Sequence, residues 1–389
     1  MRKNILLSLD AWYPQISGPN VVVTNYKKYL EQNNECKLLV PKYSKKLSAE
    51  ALEKTGVEVE HIKSVSVVFG GYRNTLPLLD KRALELANES VDIYHSHSPF
   101  GLGHFFATQA EKYNKPSILT MHTKYQDDFM RCTKSKVLTE FMMQRMMKVI
   151  DETDYVWTVS DGAEKMLRDY GYTGDVTVIR NGTDMTLPQN PEQLIDRVNR
   201  EYNLTDEENV LLFVGRIVCT KNLPFVFDAL RYIKQRRVPF KMLIVGDGEE
   251  RKNYQKLIEE WGLENNVIFT GAIYDREYLK AFYLRADLFV FPSEYDTASL
   301  CPLEAATFSL PTLLLKDCPT AETIKNDFSG YEEKDSSKLW AERIVDILSD
   351  KTKLKEVGSN ARKFVYRSWE DVVKEVESNY DSILERWRW

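Results

Sequence analysis

The chain has 389 residues, 29% of them charged, and a net charge of −5 at neutral pH. That length exceeds one ordinary hydrophobic core and makes two domains the expectation. Lysine plus arginine against aspartate plus glutamate runs 24 to 23 over residues 1–190 and 29 to 35 over the rest, so neither half is basic enough to suggest a nucleic-acid partner.

Cys36, Cys132, Cys219, Cys301 and Cys318 are odd in number, scattered and without metal-ligand spacing, as expected of reduced thiols in a cytoplasmic protein. Met1-Arg2-Lys3-Asn4 precedes only Ile5-Leu6-Leu7, too short an apolar run for a leader. No apolar run reaches membrane-spanning length, so any membrane is expected to be met at its surface.

In chain order, short β-rich apolar runs alternate with longer amphipathic stretches, the pattern of parallel α/β structure. Strands are expected at Ile5–Leu9, Lys37–Val40, Asp92–His95, Ser117–Thr120, Tyr155–Val159 and Val176–Ile179. Helices are expected at Val21–Glu31, Lys81–Glu89 and Lys136–Ile150. A second series begins at Val210–Val214 and continues with Met242–Val245, Val267–Thr270, Leu288–Phe291 and Thr312–Leu315. The proline-punctuated segment Leu187-Pro188-Gln189-Asn190-Pro191-Glu192 separates the two. Two Rossmann-like domains with a cleft between them follow, then an amphipathic helix from Trp369 to Leu384 and a short tail.

Pro14-Gln15-Ile16-Ser17-Gly18-Pro19-Asn20 links the first strand to a helix, and Gly18 lets backbone approach a phosphate or sugar, or simply makes a tight turn. His97, in His95-Ser96-His97, and His122, in Met121-His122-Thr123, each follow a strand, either facing the cleft or serving the core. His-x-His lacks the cysteine or carboxylate partners of a tetrahedral zinc set, so no metal is expected. Met130–Met147 interleaves five methionines with Arg131, Lys134, Lys136, Arg145 and Lys148, which suits an adaptable groove or a lipid surface, or a core face with a solvated basic back. Tyr72-Arg73 and Trp387-Arg388-Trp389 invite the same interfacial reading against plain packing and fraying.

In the second half, Val214-Gly215-Arg216 followed by Lys221-Asn222 places a forked and a mobile cation in one loop, suited to a diphosphate unless both are merely solvated. Ile244-Val245-Gly246-Asp247-Gly248 reads as a turn that shapes a wall. Ser293 to Ala306 carries Asp296 and Glu304 eight positions apart, with Pro302 able to open a helix just before Glu304. Free helix amides bind phosphate while carboxylates accept from hydroxyls, so a nucleotide sugar fits the mixture.

With these motifs in order, the chain resembles the retaining GT-B-fold nucleotide-sugar glycosyltransferases of glycosyltransferase family 4 over nearly its whole length. The resemblance implies an α/β fold with an N-terminal Rossmann-like acceptor domain (1–188), a C-terminal Rossmann-like donor domain (189–368) and a C-terminal helix (369–389) crossing back to the first. It implies catalytic roles for Asp296, His122, Arg216 and Lys221. Donor binding falls to Gly18, Gly215, Arg216, Lys221, Ser299, Leu300 and Glu304, with Glu304 on the ribose and Asp296 on the transferred sugar. It implies acceptor contacts for His97 and Tyr125, and their motifs His97-Ser98-Pro99-Phe100 and Met121-His122-Thr123-Lys124-Tyr125 look most like the branch that glucosylates diacylglycerol. Three departures stand out: Asp296 where the family has Glu, Ala298-Ser299 for its Phe-Gly, and Gly18-Pro19 for its glycine pair.

The implied activity is metal-independent, retaining transfer of a hexose, glucose by this branch, from a UDP-linked donor to a lipid such as diacylglycerol, by a cytoplasmic protein peripheral to the inner face of the membrane. No cofactor and no nucleic acid is expected. A soluble-sugar or polysaccharide acceptor, a nucleotide-sugar epimerase on the same fold, and a non-catalytic nucleotide-sugar binder remain as alternatives, the last because of Asp296 and Ala298-Ser299.

Overall fold

The computed structural model describes residues 2–13, 17–66, 73–205 and 207–387. Pro14, Gln15 and Ile16 of the first glycine loop, Tyr72, and the terminal Arg388-Trp389 lie outside the described residues. The chain forms two compact units, Met1–Asn181 with Ser368–Trp389, and Gly182–Arg367.

The first unit carries β1 (Asn4–Ser8), β2 (Glu35–Pro41), β3 (Glu60–Ile62), β4 (Ser64–Ser66), β5 (Arg73–Thr75), β6 (Ile93–Ser96), β7 (Ser117–Met121), β8 (Tyr155–Thr158) and β9 (Val176–Val178). Seven of them form one sheet in the order β3-β2-β1-β6-β7-β8-β9, with every pairing parallel. Ile5, Leu6 and Leu7 are all buried although successive side chains point to opposite faces. Both faces are therefore covered, which is why these strands read as unbroken apolar runs. β4 and β5 form a separate antiparallel pair. β3, β4 and β5 leave no apolar run in the sequence because each has three mostly polar residues; in β3 only Ile62 is fully buried.

The Met-rich stretch is two helices, Tyr125–Thr133 and Lys136–Asp151. Lys134 breaks them with a left-handed backbone, φ 51°, and the Ser135 side chain accepts from the Leu138 amide to start the second. Met146 and Ile150 are buried, and Met142, Met143 and Met147 pack on the cluster of Leu119, Met121 and Val156. The methionines are thus mainly core, whereas Val137, Leu138 and Phe141 on the first turns are exposed.

The last helix, Trp369–Trp387, packs in the first unit through buried Trp369, Val372, Val373, Val376, Tyr380 and Ile383. The Tyr380 ring stacks on Trp157 at 5.7 Å. Ser368 accepts from the Asp371 amide and donates to its carboxylate, so this cap residue travels with the helix it starts.

The second unit holds β10 (Asn209–Val214), β11 (Phe240–Val245), β12 (Val267–Gly271), β13 (Leu288–Phe291), β14 (Thr312–Leu315) and β15 (Tyr331–Glu333). They lie in the order β12-β11-β10-β13-β14-β15, all parallel, around one continuous apolar core. The chain leaves β10 to one side and returns as β13 on the other, which makes their carboxyl ends the topological switch point. In the first unit β1 and β6 hold the same position. The Leu187–Glu192 segment is not the boundary. Residues 182–188 pack with the second unit, because Met185 is buried in its core and the Thr183 amide donates to the Arg367 carbonyl at 2.8 Å.

Candidate active site

At the second unit's switch point, β10 runs into Gly215-Arg216 and β13 into Pro292–Asp296. The loop after β10 is pressed into place by the turn after β11. A Cβ on Gly246, whose φ is +147°, would lie 1.9 Å from the Gly215 carbonyl oxygen, and one on Gly248 would lie 2.2 Å from that of Ile217. Only glycine permits this approach. It lets the Gly215 amide donate to Val245 O and the Ile217 amide to Asp247 O, each at 3.0 Å.

The structure brings Lys221 and Asp296 together. Lys221 ends a single 3-10 turn, Cys219–Lys221, and its Nζ donates to Asp296 Oδ1 at 2.8 Å and Oδ2 at 2.6 Å. It also sits 5.0 Å above the Phe291 ring. Ser293 donates to Asp296 Oδ2, and the Thr320 hydroxyl to the Asp296 carbonyl at 3.1 Å. Arg216, by contrast, is exposed and its guanidinium makes no ion pair among the described residues. The two cations expected to act together are in different states: one neutralised by a carboxylate, the other open to an anion.

Ser299 and Leu300 are half-buried just ahead of the helix Cys301–Thr307, which has Pro302 in its first turn. Glu304 follows within that turn and is buried. Burial pushes its carboxyl group up, and two donors oppose this. Arg276 Nη1 donates to Oε1 at 3.1 Å, and the Tyr283 hydroxyl to Oε2 at 2.6 Å. Arg276 also pairs with Asp184. Burial likewise pushes the Cys301 thiol to about 12, so it is no nucleophile.

Arg276, Tyr283 and Asp184 escaped the sequence reading. The one available signal was that Arg276 and Tyr283 stand seven apart on the helix Arg276–Arg285, hence on one face. Nothing in the sequence says which carboxylate that face meets.

In the first unit the structure brings the two expected histidines together. His97 Nδ1 lies 3.0 Å from His122 Nε2, and both rings are buried. His95 stacks on His97 at 4.4 Å and bonds the Tyr380 hydroxyl at 2.6 Å and the Thr120 hydroxyl at 2.7 Å. Burial depresses all three: His95 and His122 to about 3, and His97 well below its ordinary value. At neutral pH they are uncharged, so the 3.0 Å contact needs one ring to donate and the other to accept. His97 Nε2 is buried with no hydrogen-bond partner among the described residues.

Tyr125 is placed differently from the expectation of an acceptor contact. It is buried in an apolar cluster, edge-to-face with Phe100 at 5.2 Å and stacked near Phe129. Gly18 begins the helix Gly18–Leu30, exposed, with open space where a Cβ would stand.

Asp10 was also passed over. Just beyond β1 and buried, it accepts from the Thr75 hydroxyl at 2.6 Å, the Ser98 hydroxyl at 2.8 Å and the Leu102 amide at 3.1 Å. It ties the loop that carries His97 to the end of β1. A lone carboxylate directly after a buried strand was the readable sign.

Residues 16–187 match the profile of Glycosyltransferase Family 4, and residues 195–364 that of Glycosyl transferases group 1. The chain belongs to glycosyltransferase family 4. It is therefore an enzyme, a glycosyltransferase of GT-B fold. Among relatives of this glycosyltransferase, the alpha-monoglucosyldiacylglycerol synthase of Streptococcus pneumoniae is 24% identical over 79% of this chain and 70% of its own length. That of Acholeplasma laidlawii is 25% identical over 79% of each chain. Anabaena HepE, solved in complex with UDP, superposes with a TM-score of 0.78 at 15% identity over 98% of this chain and all of its own, a likeness of fold.

Two predictions follow from the geometry of this glycosyltransferase. Asp296→Asn removes the charge that occupies Lys221, so calorimetry should show pyrophosphate binding roughly tenfold tighter, the scale of one charged hydrogen bond returned to Lys221; unchanged affinity would mean the pair does not limit anion binding. The buried histidines act on pH stability. Their native pKa values are depressed, so the unfolded chain binds more protons below about 6.5. The stability they confer is complete above that pH and is lost as pH falls towards 3, by about 1.4 kcal/mol per histidine per pH unit. Urea denaturation at pH 7 and pH 5 measures it, and His95→Asn should flatten the dependence by about a third.

Proposed function

We propose that this glycosyltransferase transfers a hexose, glucose in the first instance, with retention of configuration from a UDP-linked donor to a diacylglycerol-type lipid at a membrane surface. The observation that carries the donor half is the convergence, at one switch point, of Arg216 and Lys221 with the carboxylates Asp296 and Glu304. Phosphate needs the cations, and sugar hydroxyls need the carboxylates. UDP as the carrier is supported by HepE, a neighbour of the same fold solved with UDP.

On this reading Arg216 receives the diphosphate first, and Lys221 exchanges Asp296 for phosphate as the donor seats. Asp296 is then released to accept from the transferred sugar, and Glu304 accepts from the ribose. The departing diphosphate oxygen takes the acceptor's proton on the same face as the incoming bond, so no covalent enzyme nucleophile is required. The protein's share is positioning and neutralisation of the leaving group, without a metal. The first unit takes the acceptor, with His97 as an uncharged hydrogen-bonding group whose Nε2 is ready to pair, and His122 keeps the catalytic role as an uncharged imidazole.

The lipid acceptor is supported by the two relatives named as alpha-monoglucosyldiacylglycerol synthases. The start of the helix Lys136–Asp151 supports it as well. Val137, Leu138 and Phe141 are 77%, 42% and 52% exposed, and Lys134, Lys136 and Arg145 are exposed around them. Apolar side chains ringed by cations suit an anionic bilayer. No helix among the described residues is long and apolar enough to cross a membrane.

Transfer from UDP-glucose into vesicles containing diacylglycerol, with EDTA present, tests the reading. Arg216→Ala and Lys221→Ala should each lower the rate by about 10²–10³ with circular dichroism unchanged; full activity in both variants sinks the site assignment. Changing Val137, Leu138 and Phe141 to serine should abolish sedimentation with anionic vesicles. Retained sedimentation removes this helix from the lipid surface.

A further inference from the structure

We infer that Arg276 and Tyr283 are positioning residues that aim Glu304 as a two-pronged acceptor for a vicinal diol, and so set the enzyme's choice of ribose over deoxyribose in the nucleotide. The inference rests on the donor reading above and adds the residues that make the recognition selective.

A carboxylate has two oxygens, each able to accept two hydrogen bonds. In this structure each oxygen of Glu304 has one donor: Arg276 on Oε1 and Tyr283 on Oε2. That leaves one acceptor position on each of the two oxygens. A pair of neighbouring hydroxyls fills those two positions, whereas a single hydroxyl leaves one of them empty.

The two donors also determine where the carboxylate points. Tyr283 is a rigid arm: its ring is buried, stacks on Phe308 at 5.5 Å with the planes 8° apart, and packs against Phe289 at 5.9 Å. Its hydroxyl keeps its proton, since burial pushes its ionisation far up, and so it remains a donor. Arg276 is held at its other end by Asp184. Anchored between two carboxylates, it is not available to follow a phosphate. Its charge also favours the ionised state of Glu304, against burial. A protonated Glu304 would turn one acceptor oxygen into a donor and lose the pairing.

Asp184 lies in the second unit, shortly after the Asn181–Gly182 boundary.

The test compares UDP with 2′-deoxy-UDP by calorimetry on the full-length enzyme. The wild type should prefer UDP by about 10- to 100-fold, the range for one hydrogen bond to a charged group. Tyr283→Phe, which keeps the ring and its stacking, should bring that preference to within a few-fold while pyrophosphate affinity stays unchanged. In turnover its KM for the donor should rise and kcat at saturation should hold. Arg276→Gln should do the same and move the acid limb of the donor-affinity pH profile upward; Arg276→Lys should restore part of both. Variants that melt at lower temperature yet keep the wild-type preference would show a merely structural role and overturn the inference. A wild type that binds neither nucleotide would instead overturn the donor reading.

Discussion

In a parallel sheet covered on both faces, strand interiors are sealed mainly by apolar side chains, and groups that meet a ligand have the strand ends to occupy. Both units obey this constraint. Ile5 to Leu7 in one and Leu288 to Phe291 in the other are fully buried. The groups that can act on a ligand follow immediately: Asp10 and His97 beyond β1 and β6, Arg216 and Asp296 beyond β10 and β13. The glycine turn at Gly246 and Gly248 belongs to the same constraint, since it packs one strand-end loop directly on another.

Placing ionisable groups at such edges carries a desolvation cost, and the chain meets it in two ways. Carboxylates are given donors: Asp10 by Thr75, Ser98 and Leu102, Glu304 by Arg276 and Tyr283, Asp296 by Lys221 and Ser293. Histidines are left neutral and paired with each other or with hydroxyls. The first device keeps acceptors charged and oriented. The second provides hydrogen-bonding groups that do not repel or attract a passing charge. Substituting Asp for the family's usual Glu at 296 fits the first device, since Asp296 here sits directly on Lys221 with both oxygens.

Much of this was legible without coordinates. The apolar runs marked eleven strands to within a few residues, because a strand buried on both faces leaves a signal no loop imitates. The placement of Asp296, Glu304, Arg216 and Lys221 around one switch point was readable because they lie close in sequence to the strand ends that hold them. β3, β4, β5 and β15 were not, because three-residue strands bury too little to pattern a sequence. Tyr125 reads as a ligand contact only by its motif, and packing with Phe100 and Phe129 placed it in the core.

The sequence by itself determined the family and the two-unit α/β plan, because each rests on local pattern and short spacing, and by the same spacing it placed the acid pair near one strand end. Tertiary structure alone decided which partners the polar residues meet. Lys221 faces Asp296 across 75 positions, Glu304 meets Arg276 across 28, and His95 meets Tyr380 across 285. Such partnerships depend on the order in which strands lie side by side, and one-dimensional periodicity carries no record of that order.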